Sequence, residues 1–193
     1  ISEFAGTKVE QIKENILDKF NPSQYAKGFK KGVSIYDNAL PHVGKELVIN
    51  IDLKDFFPSI KYSEIYKIFK YIGYTDGVSK LLTKLCTNSK NVLPQGSPAS
   101  PSLSNLVSLK LDKRLSRLAD SIGADYTRYA DDITFSGNKS ISKYTDLIYK
   151  IIHEEGYEIN EDKFRLQYSF QRQEVTGLIV NTKVSVSERL ISE

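Results

Sequence analysis

Apolar residues recur three or four positions apart over much of the chain, which is the spacing of helices that pack one face against a core. The longest stripe starts at Leu103 and ends before Gly123, so it predicts the longest helix of the chain. The predicted helical stretches run from Val9 to Phe20, from Ile65 to Ile72, from Val78 to Leu85, from Leu103 to Leu118 and from Ile141 to Ile152.

Elsewhere apolar and polar residues alternate, which predicts strands. Glu46–Leu53 is a β-rich run, and Asp131-Asp132 lies between two alternating runs, so a β-hairpin with the acidic pair at its tip is expected. Later strands are predicted over Tyr157–Asn160, Arg165–Phe170 and Gln173–Asn181. The order of strand, helices, hairpin, helix and strands predicts an α+β fold, with a ferredoxin-like or RRM-like antiparallel sheet and helices packed on one face.

Composition adds few constraints to this picture. The 193 residues suffice for one domain with its own core, and the net charge of +3 permits a nucleic-acid partner without establishing one. The single cysteine, Cys86, falls in an apolar helical stripe, so a buried thiol is expected and a disulfide framework is excluded. No apolar run has membrane-spanning length, and a cytoplasmic protein is expected.

The start of the chain suggests that the sequence is part of a longer protein. The chain begins at Ile1 and contains no methionine, so we interpret it as a piece of a larger protein. Residues 1–6 are interpreted as a cloning remnant.

The acidic pair is the first candidate for chemistry. Two carboxylates at a hairpin tip repel each other, and a divalent cation such as Mg²⁺, shared with a third carboxylate, relieves that repulsion. Asp52 is the candidate third ligand, because a residue at the end of a buried strand is held rigidly. The alternative is a solvated acidic turn, since aspartate is a common turn residue.

Two loops are candidates for nucleic-acid contact. Tyr25–Gly44 mixes lysines with aromatic residues, which suits a strand of nucleic acid because ammonium groups neutralise phosphates and rings stack on bases. A solvated loop has the same composition. Leu93–Pro101 leads into the longest predicted helix, whose N-terminus would present backbone N–H groups to a phosphate, unless it is an ordinary loop-to-helix junction.

With these pieces in order, the sequence resembles reverse transcriptases. Asn50-Ile-Asp52-Leu-Lys-Asp-Phe-Phe57 is similar to the first carboxylate motif of the polymerase palm, and Leu93-Pro-Gln95-Gly96 is similar to the family's Pro-Gln-Gly motif. Tyr129-Ala-Asp131-Asp132 resembles the signature acidic hairpin of the family.

Further along the chain, Gly156-Tyr-Glu-Ile-Asn160 with Lys163 resembles the family's lysine motif, and Val175-Thr-Gly-Leu-Ile-Val-Asn181 resembles its primer-grip hairpin. The resemblance covers nearly all of residues 25–181. Each motif alone is weakly specific, whereas the ordered set is strongly specific.

Two patterns narrow the resemblance to bacterial retron reverse transcriptases. Asn38-Ala-Leu-Pro-His42 matches an Asn-Ala-x-x-His pattern, and Val175-Thr-Gly177 matches a Val-Thr-Gly pattern, both typical of that group. Group II intron enzymes are the second choice, and abortive-infection or phage-defence reverse transcriptases stay open. The retron resemblance implies RNA-directed DNA synthesis that yields msDNA-like products in phage defence.

The resemblance also implies metal-dependent nucleotidyl transfer, in which a primer hydroxyl attacks the α-phosphate of a deoxyribonucleoside triphosphate. Asp52 and Asp131 would bridge two Mg²⁺ ions, with Mn²⁺ as a substitute, while the Leu53 carbonyl completes a metal shell and Asp132 supports the site. Lys163 would act as the general acid towards pyrophosphate, with an exposed surface lysine as the alternative.

The same resemblance assigns residues to the nucleotide. The Asp55 and Phe56 backbone N–H groups would meet its phosphates, and Phe57 would exclude a 2′-hydroxyl by steric clash. Gln95 and Gly96 would line the nucleotide and the template.

The remaining assignments concern the nucleic acid. Thr176, Gly177 and Leu178 would form the primer grip. Asn38 and His42 would order their loop or contact RNA, a structural hydrogen bond being the preferred role of His42. The implied partners are an RNA template, a DNA or RNA primer, deoxyribonucleoside triphosphates and a cognate non-coding RNA, with no membrane.

The resemblance divides the chain into partial fingers over residues 7–45, a palm over 46–181 with a helical fingers insertion near 61–92, and the root of a missing thumb over 182–193. The upstream fingers strands, with their Lys/Arg cluster, are not found before Tyr25, and Val33 stands where the family often has arginine. The rival hypothesis from another class is a non-catalytic RNA-binding palm fragment.

Overall fold

The computed structural model describes residues 3–186, with side chains from residue 6 onward. These residues divide into two compact units. The helical unit contains the chain up to Ser23 together with Asp55–Leu109, and the sheet unit contains Gln24–Lys54 and the chain from Lys110 onward. The predicted thumb root lies mainly outside the described residues, since residues 187–193 are not described.

The helices are short to medium in length, and no helix within residues 3–186 is long and apolar enough to cross a lipid bilayer. In chain order they are α1 Glu3–Asn15, α2 Ile35–Ala39, α3 Phe56–Ser59, α4 Tyr62–Ile72, α5 Asp76–Cys86, α6 Ser100–Val107, α7 Leu109–Ile122 and α8 Thr145–Glu154. Short 3₁₀ helices occupy Leu17–Lys19, Leu40–His42, Lys139–Tyr144 and Glu161–Lys163. The strands are β1 Leu47–Lys54, β2 Asp125–Tyr129, β3 Asp132–Gly137, β4 Glu158–Ile159, β5 Arg165–Tyr168, β6 Glu174–Val175, β7 Leu178–Ile179 and β8 Ser185–Val186.

The helical unit buries the apolar stripes that predicted its helices. α4 packs against α5, α1 packs on α5, and α6 packs on α4. Ile65 and Phe69 of α4 are fully buried. Cys86, at the end of α5, is buried as predicted, and this burial raises the pKa of its thiol to about 12, so the thiol stays protonated at neutral pH.

The sheet unit is built on an antiparallel sheet with the strand order β2-β3-β1-β4, and β5 also pairs with β1. β4 pairs with the end of β1 at Leu53 and Lys54, whereas β5 pairs with its first half, Leu47 to Asn50. A strand, helix, strand, strand, helix, strand succession in this spatial order is the ferredoxin-like arrangement. The predicted α+β, palm-like fold class is therefore confirmed.

Alternation along the strands gives the sheet two different faces. α7 lies on the first face, because its Asp112 accepts hydrogen bonds from Tyr126 and Arg128 of β2. α8 is tied to α7 by the ion pairs of Arg114 with Glu154 and Glu155. The buried apolar residues of this face include Ile49, Ile51, Ile133 and Phe135.

The second face combines polar residues with a small apolar core. This small core joins α2, β1 and the three-stranded sheet β6-β7-β8. Its buried residues are Ala39, Val48, Val175, Leu178 and Val180. Because Val48 and Asp52 are an even number of residues apart on β1, the small core lies on the same face as the predicted metal ligand.

The prediction of one long helix after the Pro/Gly-rich loop is wrong. α6 ends at Val107, and α7 begins at Leu109. Between them, buried Ser108 donates its N–H to the Ser104 carbonyl. The apolar periodicity continues through this break, and for that reason the pattern did not reveal it.

The connection Tyr25–Gly44 is also more ordered than the predicted loop. It contains α2, which starts after Ser34. The Ser34 N–H and hydroxyl both donate to the Asp37 carboxylate, at 2.8 and 2.7 Å. This capping pair stabilises a helix too short to show an apolar period.

Candidate active site

Asp52 lies near the end of β1, on the face opposite α7, and is only 6% exposed. Its carboxylate accepts hydrogen bonds from Asn160 Nδ2 at 3.1 Å and from Lys163 Nζ at 2.9 Å. Two polar residues share the face, and the Thr134 hydroxyl donates to Asn50 Oδ1 at 3.3 Å. Strand β1 therefore holds one carboxylate rigidly in polar surroundings.

The acidic hairpin brings the second and third carboxylates to the same edge. Ala130 and Asp131 form the turn between β2 and β3, and Ala130 has a left-handed φ of 57°. Asp132, the first residue of β3, is paired directly with Asp52 in the β1–β3 register. The Leu53 N–H donates to the Asp131 carbonyl at 2.9 Å, which fixes the turn beside the end of β1.

The hairpin carboxylates are destabilised as anions. Desolvation, followed by the negative charges of Asp131 and Asp52, raises the pKa of Asp132 to about 6. Desolvation and the charge of Asp52 also raise the pKa of Asp131. The hydrogen bond to Asp52 raises the pKa of Lys163, whose ammonium offsets part of this negative charge. The site therefore favours an additional cation.

The carboxylate oxygens of Asp52, Asp131 and Asp132 are the type of ligand that a hard divalent cation such as Mg²⁺ prefers. As the side chains stand, no three Asp, Glu, His or Cys residues in the described part of the chain converge to hold an ion. The Asp52 oxygens are directed instead to Asn160 and Lys163. Asp52, Asp131 and Asp132 are the residues that could hold a metal, and their side chains would have to turn towards a common ion to do so.

A cavity of about 160 Å³ opens on this face. The predicted primer-grip residues Thr176 and Gly177 line it together with Asp52 and Asp132, whereas Leu178 is buried in the small core. The other lining residues are Asn50, Ile51, Thr134, Lys163, Arg165 and Glu174. Thr176 and Gly177 have φ values of 45° and 82°, which form the tight turn between β6 and β7.

Asn38 and His42 are fully buried, so in this structure neither side chain offers a surface to RNA. Asn38 Nδ2 donates to Thr176 Oγ1 at 3.2 Å. The two ring nitrogens of His42 lie 2.7 Å from Ser136 Oγ and 2.8 Å from Thr127 Oγ1. Desolvation lowers the pKa of His42 to about 4, so the ring is neutral. These contacts favour the structural role over the RNA contact.

The predicted nucleotide-binding residues all lie in the helical unit. Asp55 has a left-handed φ of 48° directly before α3. Phe56 is buried, and Phe57 is half-buried against it, with ring centroids 5.5 Å apart. Gln95 and Gly96 are exposed in the loop before α6. The contacts of these residues with a nucleotide remain predictions.

Sequence reasoning missed several residues that shape the site. Asn50 and Thr134 each lie two positions from a predicted carboxylate, so strand alternation alone could have placed them on its face. The hydrogen bond of Asn160 to Asp52 depends on the pairing of β4 with β1. Gly28 contacts the hairpin turn from a distant part of the chain, and no local pattern indicates it.

Comparison with known proteins adds relatives to this geometry. The profile of the family "Reverse transcriptase (RNA-dependent DNA polymerase)" matches residues 3–182. The chain is 42% identical over 185 residues to the retron Ec86 reverse transcriptase of Escherichia coli, and this alignment covers 94% of the chain and 58% of that protein. It is 39% identical over 191 residues to the retron Mx65 reverse transcriptase of Myxococcus xanthus, and this alignment covers 89% of the chain and 45% of that protein. The chain thus spans about half the length of the curated relatives it matches.

Among solved structures, the telomerase of Candida albicans, in complex with a TWJ fragment of telomeric RNA, matches with a TM-score of 0.56. The match covers 97% of this chain and 34% of that chain at 12% identity, so it shows the fold alone. The family profile covers nearly the whole chain, and the fold and the ordered motifs agree with it. The chain therefore belongs to the reverse transcriptase (RNA-dependent DNA polymerase) family and is similar to the retron members of that family.

Proposed function

We propose that the protein containing this chain is an RNA-directed DNA polymerase of retron type, which extends a primer hydroxyl with deoxyribonucleotides on an RNA template. The observation that carries the proposal is the placement of Asp52, Asp131 and Asp132 at the same end of three neighbouring strands in a palm-like sheet. Membership of the reverse transcriptase family supports the reaction, and the identity to retron enzymes supports the type.

The three carboxylates are proposed to hold two Mg²⁺ ions, for which Mn²⁺ substitutes. Asp52 and Asp131 would hold the ions together with the Leu53 carbonyl, and Asp132 would support the site. When bound, the ions would stabilise the negative charge that develops on the attacking oxygen and on the leaving pyrophosphate. The raised pKa values of Asp131 and Asp132 support this assignment, because a nearby cation favours the ionised carboxylates.

Lys163 is proposed to give a proton to the leaving pyrophosphate. Its ammonium is protonated at neutral pH, as a proton donor must be, and its hydrogen bond to Asp52 places it at the proposed metal site. Its side chain is 58% exposed while its Nζ lies 2.9 Å from Asp52, so it combines contact with the site and access from solvent. Thr176 and Gly177, which line the same cavity, are proposed to hold the primer end.

The incoming nucleotide is proposed to bind between two segments, the residues directly after β1 and the loop before α6. The backbone N–H groups of Asp55 and Phe56 bind its phosphates, and Phe57 excludes the 2′-hydroxyl. Gln95 and Gly96 line the base and the template. The left-handed Asp55 supports this proposal, because it turns the chain sharply at the end of the strand that carries Asp52.

Primer extension on an RNA template tests the function in the full-length natural protein. Asp131→Asn removes a charged metal ligand, so DNA synthesis should fall by about 1,000-fold or more. Asp125→Asn changes an aspartate at the other end of β2, where it pairs with Lys45, and should leave synthesis within about twofold of the wild type. Synthesis that survives Asp131→Asn contradicts the proposal, and a wild type that binds RNA without incorporation favours the non-catalytic palm.

The proposed product is an msDNA-like molecule templated by a cognate non-coding RNA and made in phage defence. The retron relatives support this finer assignment. Sequencing of DNA that is covalently joined to RNA, from cells with the wild type or the Asp131→Asn variant, tests it. Loss of such DNA in the variant is expected, and its absence from wild-type cells contradicts the retron type.

A further inference from the structure

The segment Tyr25–Gly28 runs beside the outer edge of β2 and reaches the acidic turn. Ala26 pairs with Arg128 in a parallel bridge. The Lys27 N–H donates to the Arg128 carbonyl at 2.7 Å, and the Arg128 N–H donates to the Tyr25 carbonyl at 2.9 Å. The backbone of this segment is therefore fixed to the strand that leads into the acidic turn.

Gly28 packs directly on the backbone of that turn. A Cβ atom at this position would lie 2.6 Å from the Ala130 nitrogen and 3.1 Å from the Tyr129 carbonyl carbon. Real side chains do not approach backbone atoms so closely, so any other residue displaces either the turn or the segment. Gly28 does not have a positive φ, and the requirement for glycine is therefore one of space.

The Arg128 side chain holds the same turn from the face of the sheet that α7 covers. The guanidinium is fully buried and binds both oxygens of Asp112, at 2.7 and 2.8 Å. Its third nitrogen donates to the Ala130 carbonyl at 3.0 Å. The peptide before Ala130 thus contacts Gly28, and the peptide after it is held by Arg128, which together fix the left-handed conformation of Ala130.

We propose that Gly28 and Arg128 are positioning residues that hold Asp131 where a metal ligand is required. Asp131 directly follows Ala130, so a change in either peptide of Ala130 moves its carboxylate. The inference rests on the proposed function, because it explains how the geometry of the proposed metal ligand is set. Neither residue touches substrate in this role, and both act through the turn Tyr129–Asp132.

The first test compares Gly28→Ala with Gly77→Ala in the full-length natural protein. A Cβ at Gly77 has no atom within 4 Å, so this variant is the matched control. Primer extension is measured over a Mg²⁺ titration. Gly28→Ala should lower kcat by about 10- to 100-fold and raise the half-saturating Mg²⁺ concentration, with a much smaller change in the KM for deoxynucleotide. A folded Gly28→Ala variant with both values unchanged overturns the proposal.

Arg128→Lys tests the contact of Arg128 with the Ala130 carbonyl. It also keeps the proposal testable if the Gly28→Ala variant does not fold. Lysine keeps the positive charge opposite Asp112, but its single nitrogen cannot bind Asp112 at two points and also reach the Ala130 carbonyl. Exposed Arg117→Lys on α7 is the control. The half-saturating Mg²⁺ concentration should rise in Arg128→Lys alone, and equal values in the two variants overturn the proposal.

Metal binding without nucleic acid separates this inference from the proposed function. Mn²⁺ affinity, followed by electron paramagnetic resonance, should be weaker in Gly28→Ala than in the wild type and in Gly77→Ala. If the wild type makes no DNA on any RNA template, the proposed function fails, and the Mn²⁺ affinities still decide on the positioning role. Equal Mn²⁺ affinities overturn it.

Discussion

At the scale of single residues, His42 is a buried imidazole held between the hydroxyl groups of Ser136 and Thr127. Asp52, Asp131 and Asp132 could be predicted from the sequence, because carboxylates at strand ends and turns form a recognisable pattern. The contacts of His42 could not be predicted, because Ser136 and Thr127 lie 94 and 85 residues away in the chain. Long-range contacts of this kind depend on strand register, which the local sequence around His42 does not contain.

His42 makes stability dependent on pH. Its pKa is about 4 in the folded protein and 6.5 in the unfolded chain. Between these two pH values the unfolded state binds a proton that the folded state does not bind. His42 should therefore contribute a fall of up to about 3 kcal/mol in the free energy of unfolding between pH 7 and pH 4, whereas the raised pKa of Asp132 acts in the opposite direction over this range. The difference between the wild type and His42→Gln in urea unfolding across this range measures the contribution of His42.

His42→Gln is expected to be less stable at pH 7 but to lose this part of the pH dependence. The control is His153→Gln, which removes an exposed histidine of α8 and leaves the buried site intact. A wild-type slope in His42→Gln would show that the buried imidazole is not the group that titrates.

Lys163 contributes a positive charge to the proposed metal site when no ion is bound. In Lys163→Met, Asp52 loses its ammonium partner, so Mg²⁺ should raise the melting temperature of the variant more than that of the wild type. The variant without Mg²⁺ should lose less than about 1 kcal/mol of stability, because Lys163 is largely exposed. Thermal unfolding with and without Mg²⁺ measures both effects, with exposed Lys150→Met as the control. An equal Mg²⁺-dependent rise in both variants would contradict the assignment.

At the scale of secondary structure, the order of elements was predictable and their interruptions were not. Alternation in β2 and β3 is a local property, so the hairpin with its acidic turn followed directly from the sequence. The break at Ser108 falls within an apolar stripe that stays in phase, and the short helix α2 is defined by its Ser34–Asp37 cap. Local hydrogen bonds thus decided both features that the periodicity missed.

The buried ion pair between α7 and β2 joins these two elements. Asp112→Asn leaves the fully buried Arg128 without its counter-charge, so it should lower the free energy of unfolding by about 3–5 kcal/mol. Chemical denaturation measures the loss, and Asp120→Asn on the exposed side of α7 should change it by less than about 0.5 kcal/mol. The double variant Asp112→Leu/Arg128→Met should lose less than the sum of the single variants, and strict additivity would contradict the coupling.

At the scale of the whole molecule, the chain contains the proposed metal site but only about half the length of its curated relatives. The palm fold and the family were predictable, because the ordered motifs cover nearly the whole chain. Residues 3–186 form two compact units. The predicted nucleotide-binding residues lie in the helical unit, and the predicted metal ligands lie in the sheet unit. The first carboxylate motif, for example, contains Asp52 in the sheet unit and Asp55 in the helical unit.

Because the curated relatives are about twice as long as this chain, the 193 residues by themselves are expected to extend a primer far less than a protein of the relatives' length does. Primer extension with both proteins on the same RNA template measures the difference. Its control is Mg²⁺-dependent thermal stabilisation, which should be similar in the two proteins. Equal synthesis by both would show that the chain is a complete polymerase.

The central position of β1 has a consequence for synthesis on the ribosome. β1 ends at Lys54, but each strand that pairs with it comes later, beginning with β3 at Asp132. The nascent chain therefore carries an unpaired, apolar strand while the helices between β1 and β2 emerge. Nascent chains released before β3 leave both edges of Leu47–Leu53 open, and we expect them to aggregate or to be bound by chaperones.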